Sequence, residues 1–248
     1  MDESARRSIL VVGAGDATGG AIARRFARAG FVACVTRRTA DKLQPLVAQI
    51  QADGGEAHGF ASDARKELDV ETLVARIERE IAPIDVAVFN IGANVRFGIA
   101  ETTERVYRKV WEMGALAGFL MGREVAKAMV PRGRGTIIFT GATASVRGSA
   151  GFAAFAGAKH ALRALAQSMA RELGPQGLHV AHVVIDGAID TRFIAENFPE
   201  RYALKERAGI LSPEAIVAPC LPSSATCSAP TRVTPLMASG VAMPSEAT

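Results

Sequence analysis

Residues 11–20 read Val11-Val12-Gly13-Ala14-Gly15-Asp16-Ala17-Thr18-Gly19-Gly20. The run follows an apolar stretch at 9–12 and opens a segment of helical spacing at 19–29. Glycines at such a strand-to-helix junction let the backbone turn sharply and come close to a pyrophosphate, which then sits on the helix N-terminus. The same glycines also serve a plain tight connection. Position decides between these readings, because this is the first strand–helix unit of the chain.

Working outward, the pattern repeats. Short apolar runs at 32–35, 57–60, 86–89, 136–139 and 178–185 read as strands buried on both faces. Between them, 40–52, 70–81, 102–129 and 151–173 carry helical spacing. Gly30 and Gly54-Gly55 stand where helices end, and Gly174-Pro175 stops the long last one. Strand–helix alternation predicts an α/β fold, a doubly wound parallel sheet with helices on both faces in a single domain. The domain runs over 1–217, with a tail at 218–248.

The tail breaks the pattern. Ser212-Pro213-Glu214 is a helix start, but Pro219 follows within two turns. From 218 the chain is mostly Ala, Pro, Ser and Thr, with one Arg and one Glu. Such composition buries too little surface to offset ordering. The tail is therefore expected to be poorly ordered, the sheet edge bare, and the change at 218 the mark of a shifted reading frame or a replaced C-terminus.

Composition narrows the function classes. The chain has 248 residues, 49% hydrophobic and 22% charged, as a soluble globular domain would. No apolar run approaches the ~18 residues of a membrane span, and residues 1–8 are polar, without the apolar stretch of a signal peptide. The cytoplasm is the expected location, with no membrane partner. Net charge is +4, with bases scattered among acids, which argues against nucleic acid. The three cysteines give no disulfide framework and no zinc spacing, so no metal is expected.

Arg37 and Arg38 follow the second strand. An acid there holds the ribose hydroxyls of NAD, whereas arginine favours the 2′-phosphate of NADP. Arg37 thus leans toward NADP, with NAD still possible, while Asp16 in the turn points the other way.

Later elements resemble the short-chain dehydrogenase/reductase family over about residues 8–217. Gly13, Gly15 and Gly19 resemble its glycine motif, with Ala17 where a middle glycine is usual. Asp63, with Ala64, looks like its adenine-contacting element. Phe89-Asn90-Ile91-Gly92 looks like its Asn-Asn-Ala-Gly element. Asp186-Gly187-Ala188-Ile189-Asp190-Thr191 resembles its Pro-Gly-x-Val-x-Thr segment, and there Ile189 and Thr191 would hold the nicotinamide carboxamide. The resemblance implies a cofactor site made of Gly13, Gly15, Asp16, Ala17, Thr18, Gly19, Arg37, Asp63, Ala64, Asn90, Gly92, Lys159, Ile189 and Thr191.

The family's catalytic helix turn is Tyr-x-x-x-Lys. This chain has Phe155-Ala156-Gly157-Ala158-Lys159, which keeps the lysine and lacks the phenol. A divergent branch places its tyrosine seven residues before lysine, and that position is Phe152. The family serine falls at Ala142, with Thr143 beside it able to supply a hydroxyl if the loop shifts by one. The helix asparagine falls near Gly114 or Ala115. Lys159 and Thr143 are the catalytic candidates. Asp186 stands where the family has proline, either as a new acid or as a solvated loop residue. Tyr202 lies in the lid region at about 190–210. His179 and His182, three apart on a strand, face opposite sides.

Two functions stay open. One is a nicotinamide-dependent oxidoreductase acting on a small carbonyl or alcohol substrate. The other is an NAD(P)-binding protein of weak catalysis, a sensor or partner subunit. A homodimer or homotetramer through the helices at 102–129 and 151–173 is the expected assembly, since small residues there allow close packing.

Overall fold

In the computed structural model, residues 6–15, 17–197, 199–203, 210–214 and 236–239 are described. Strand β1 (Ser8–Val12) leads into α1 (Thr18–Arg28), β2 (Val32–Arg37), α2 (Gln44–Ala52), β3 (Ala57–Ala61), α3 (Glu67–Glu80) and β4 (Ile84–Phe89). Then come α4 (Glu104–Trp111), α5 (Ala117–Met129), β5 (Gly135–Ala142), α6 (Ala153–Leu173) and β6 (Leu178–Asp186). Short elements follow: β7 (Ala188–Ile189), α7 (Arg192–Asn197), α8 (Pro199–Tyr202), β8 (Ile210–Leu211) and β9 (Leu236–Ser239).

The main sheet is parallel, in the order β3-β2-β1-β4-β5-β6-β9. The pleat sends successive side chains to opposite faces. Leu10 and Val12 enter a core under α3, α5 and α6, while Ile9 and Val11 enter the one under α1 and α2. That is why the strands read as unbroken apolar runs. Chain order reverses between β1 and β4, so the C-terminal ends of those strands open a crevice, the place where such sheets take ligands.

Two expectations change. The segment 102–129 is not one regular helix: Glu112–Leu116 forms a π-helical turn between α4 and α5. Gly114 within it, and Gly118 and Gly122 beyond it, face α6 of the same chain. A methyl at each would lie 3.0 Å from Ala158 Cβ, 2.4 Å from Leu162 Cδ1 and 3.0 Å from Met169. These small residues serve packing inside the subunit, and the exposed side of α4 and α5 carries Tyr107, Trp111 and Phe119 instead.

The second correction concerns the sheet edge. It is not bare at β6, because Leu236–Ser239 pairs with it in parallel, Val183 beside Leu236 and Asp186 beside Ser239. Four residues of extended backbone satisfy a strand edge without the long apolar run that marks a central strand. The rest of 218–248 lies outside the described residues, as does Asp16.

Candidate active site

The glycine turn is built by close approach. Gly13 has φ +89°, and its N–H and that of Ala14 donate to Thr36 O at 3.2 and 3.1 Å. A Cβ at 13 would stand 2.7 Å from Asn90 O, and one at 19 would stand 2.5 Å from Gly13 O. Asn90 closes the junction from β4, its side-chain Nδ2 donating to Gly13 O at 3.1 Å. In front of Gly15 there is room: a Cβ there meets nothing within 4 Å. Ala17 stands at the start of α1, where no side chain caps the helix and no acid occupies the first turn. The Thr18 hydroxyl is buried without a hydrogen-bond partner. Uncapped N–H groups, an orphaned hydroxyl and open space before Gly15 suit an anion at a helix start, so these residues fit a pyrophosphate.

At the neighbouring strand ends, Arg37 closes β2 and reaches Lys42 O at 3.4 Å, with Arg38 exposed beside it. Asp63 follows β3. Its carboxylate takes Arg65 Nε at 2.9 Å and Nη2 at 2.5 Å, which holds the acid down at about 2. The carboxylate placed by resemblance at the adenine is therefore already engaged by Arg65. Ala64 is buried next to it, and Gly92 is exposed in the loop after β4.

The α6 turn puts Phe155 and Lys159 on one face, four residues apart. Lys159 is 3% exposed, and its Nζ donates to Thr140 O at 2.9 Å and Ile91 O at 3.2 Å. An ammonium has three N–H donors, so a third remains for a ligand. Burial pulls the lysine down to about 8. Its Nζ stands 5.9 Å from the centre of the Phe155 ring, where a phenol hydroxyl would otherwise be sought. Thr140 is the hub: its hydroxyl donates to Phe89 O at 3.1 Å and lies 3.3 Å from Asn90 Oδ1. Thus one strand residue joins the lysine to the glycine turn. Sequence reading missed Thr140, although a hydroxyl inside an apolar strand was the available signal.

The other hydroxyls sort clearly. Ala142 ends β5, and its N–H donates to Ser145 Oγ, which is buried, at 3.1 Å. Thr143 Oγ1 donates to Asp186 Oδ1. Tyr202 OH donates to Asp190 Oδ1 at 3.0 Å. Ile189 pairs with Leu211 across β7 and β8, and Thr191 Oγ1 accepts from Ile194 N at 3.2 Å at the start of α7. His179 is exposed and His182 buried, as their spacing predicts.

Residues 7–201 match the short chain dehydrogenase family model. The chain belongs to this family. The human dehydrogenase/reductase SDR family member 4 is 33% identical over 193 residues, which is 77% of this chain and 69% of the relative. The crystal structure of a short-chain dehydrogenase from Rhodopseudomonas palustris is 50% identical, with TM-score 0.69, over 79% of this chain and 91% of that one. A Beutenbergia cavernae structure, assigned as an NAD(P) dependent gluconate 5-dehydrogenase with NADP bound at low occupancy, is 27% identical with TM-score 0.79, covering 88% of both chains. Like these short-chain dehydrogenases, the chain is a single α/β domain with a parallel sheet. No helix among the described residues is long and apolar enough to cross a membrane.

Proposed function

We propose that this chain is an oxidoreductase of the short-chain dehydrogenase type that uses NADP(H) on a small carbonyl or alcohol, with an altered proton donor. The observation that carries the reading is Lys159, buried yet charged enough to bind, tied to Thr140 O at 2.9 Å and so to the glycine turn through Asn90. Burying an ammonium costs free energy unless it is used or paired. A bound nicotinamide supplies the hydride acceptor or donor. The residues do the rest. Gly13, Gly15, Ala17, Thr18 and Gly19 hold the pyrophosphate, and Lys159 gives its third N–H to the nicotinamide ribose. Ile189 and Thr191 meet the carboxamide, and Arg37 faces the 2′-phosphate. NADP bound in the Beutenbergia relative favours the phosphorylated cofactor. Asp16, also assigned to the turn, lies outside the described residues.

Phe155 favours a second reading. With a ring and no hydroxyl beside Lys159, and Ala142 where the family has serine, the chain can hold cofactor with little turnover, as a sensor or partner subunit. The two readings part on one experiment: fluorescence titration with NADPH and NADH, then turnover with a broad panel of ketones and alcohols. NADPH binding with turnover, raised further in Phe155→Tyr/Ala142→Ser, supports the enzyme. Binding without turnover in either protein leaves the binding reading. We further propose a homodimer or homotetramer, joined through the exposed face of α4 and α5 where Trp111 and Phe119 lie.

A further inference from the structure

Strands β5 and β6 run in register, with Ala142 beside Ile185. The next residue of each therefore stands at the same level, just past the end of β5 in one case and as the last residue of β6 in the other. These two residues, Thr143 and Asp186, are joined, the threonine hydroxyl donating to the carboxylate. Both stand at the carboxyl ends of β5 and β6, on the same edge of the parallel sheet as the crevice, three residues beyond the carbonyl that holds Lys159 in one case and three before Ile189 in the other. Thr143 is half-buried and Asp186 exposed. A threonine hydroxyl alone is a poor base. With its hydrogen held by a carboxylate, its oxygen can take a proton as it gives its own away.

We infer that Thr143 and Asp186 form the proton-transfer pair of this site, standing in for the absent phenol. The inference rests on the oxidoreductase reading above. In the oxidation direction, the O–H proton of a secondary alcohol passes to Thr143 Oγ1 while Thr143's own hydrogen passes to Asp186. The carbinol C–H bond breaks with its electron pair leaving to oxidised NADP, and the C=O bond forms. Asp186, at the surface, then gives its proton to water, and the threonine is unchanged. Reduction runs the same steps backwards. Thr143 touches the substrate and is the catalytic residue; Asp186 acts through it. Three other hydroxyls among the described residues are placed elsewhere, and that of Thr18 lies at the glycine turn. Tyr202 donates to Asp190, and Ser145 is buried and accepts from Ala142 N. The Tyr107 hydroxyl packs against Gly157, which is off the Phe155–Lys159 face of α6.

The test uses the whole protein with NADP and three probes: D-gluconate, cyclohexanol and 1-phenylethanol. The native protein is expected to form NADPH with at least one. Thr143→Val and Asp186→Asn should each lower kcat by ~10²–10⁴-fold, the usual worth of a general acid–base group. KM and NADPH affinity should stay within about twofold. The double variant should be no slower than either single one, because the two act as a unit. Thr143→Ser and Asp186→Glu should recover part of the rate, which guards against a variant that merely misfolds. In cofactor-free protein, the carboxyl carbon-13 resonance of Asp186 should move in Thr143→Val, a readout independent of turnover. Native turnover that survives both changes overturns the pair and leaves the oxidoreductase reading standing. A silent native protein beside an active Phe155→Tyr overturns the pair alone. Silence of both, with NADPH still bound, overturns the reading and the pair with it.

Discussion

The carbonyl oxygen of Thr140 accepts a hydrogen bond from Lys159 Nζ at 2.9 Å, so a lysine on α6 is fixed by a strand residue nineteen positions earlier. Two backbone carbonyls leave the lysine little choice of position, and one of its three N–H donors remains for the proposed cofactor. Lys159→Ala should weaken NADPH binding by ~10–100-fold, the range for a charged hydrogen bond. Fluorescence titration would show it; unchanged affinity would mean that Lys159 is only a packing residue.

On the proposed reading, cofactor choice turns on Arg37 at the end of β2. Arg37→Asp places an acid where ribose hydroxyls would be held and repels a 2′-phosphate. The ratio of NADPH to NADH affinity should fall by about tenfold or more, one to two kcal/mol of charge interaction. A native protein that already prefers NADH would reject the assignment.

Two glycines of one turn should behave oppositely. Gly19→Ala drives a methyl to 2.5 Å from the backbone oxygen of Gly13, which cannot swing aside. A loss of ~1–3 kcal/mol of stability is expected, as for overpacking. Gly15→Ala meets nothing within 4 Å, so its melting temperature should hold while nucleotide affinity drops. Calorimetry and titration on the pair of variants separate the steric role from the binding one.

Acid should destabilise the protein through His182. This side chain is 2% exposed, and Nε2 has no partner. Burial, helped by the charges of Lys159 and Arg163, pulls it down to about 4 from an ordinary 6.5. The folded protein then keeps it neutral while the unfolded chain protonates it. Stability is therefore present above about 6.5 and lost as pH falls toward 4, on the order of 3 kcal/mol. His179, lowered by burial as well, adds in the same direction. Denaturant titrations at pH 7 and pH 4.5 should show the drop, and His182→Leu should shrink it. Lys159, lowered to about 8, works at the other end: stability rises between about 8 and 10.5 as the buried amine sheds its charge.

Association should depend on the exposed aromatic side of α4 and α5. Trp111 and Phe119 are each about two-fifths exposed. Trp111→Glu should shift the protein toward monomer in light scattering at micromolar concentration. A native protein that is already monomeric there would remove the proposal.

Much of this was legible in the residues. The strands from β1 to β6 announced themselves as short apolar runs, the inner ones largely buried and the edge strand β3 exposed at Gly59 and Ala61, and the glycine turn and Lys159 stand in local motifs. What stayed hidden is non-local or belongs to the backbone. The π turn at Glu112–Leu116 leaves no mark in apolar periodicity. Strand β9 is four residues in an Ala- and Pro-rich tail, recognised only by its partner β6. Thr143 and Asp186 lie 43 positions apart, and their bond exists only once β5 and β6 are in register. Arg65 beside Asp63 was in plain view, yet nothing in the sequence said that it would occupy the carboxylate.

The π turn also shapes how the gene can change. A π turn holds one more residue than an α-helix would in the same span. Deleting a single residue of 112–116 would let α4 run into α5 as regular α-helix while the helices on either side keep their faces. Gly118 and Gly122 would stay against Leu162 and Met169. A one-codon loss should therefore be tolerated here and not within α5 itself, where everything beyond the deletion would turn by about 100°.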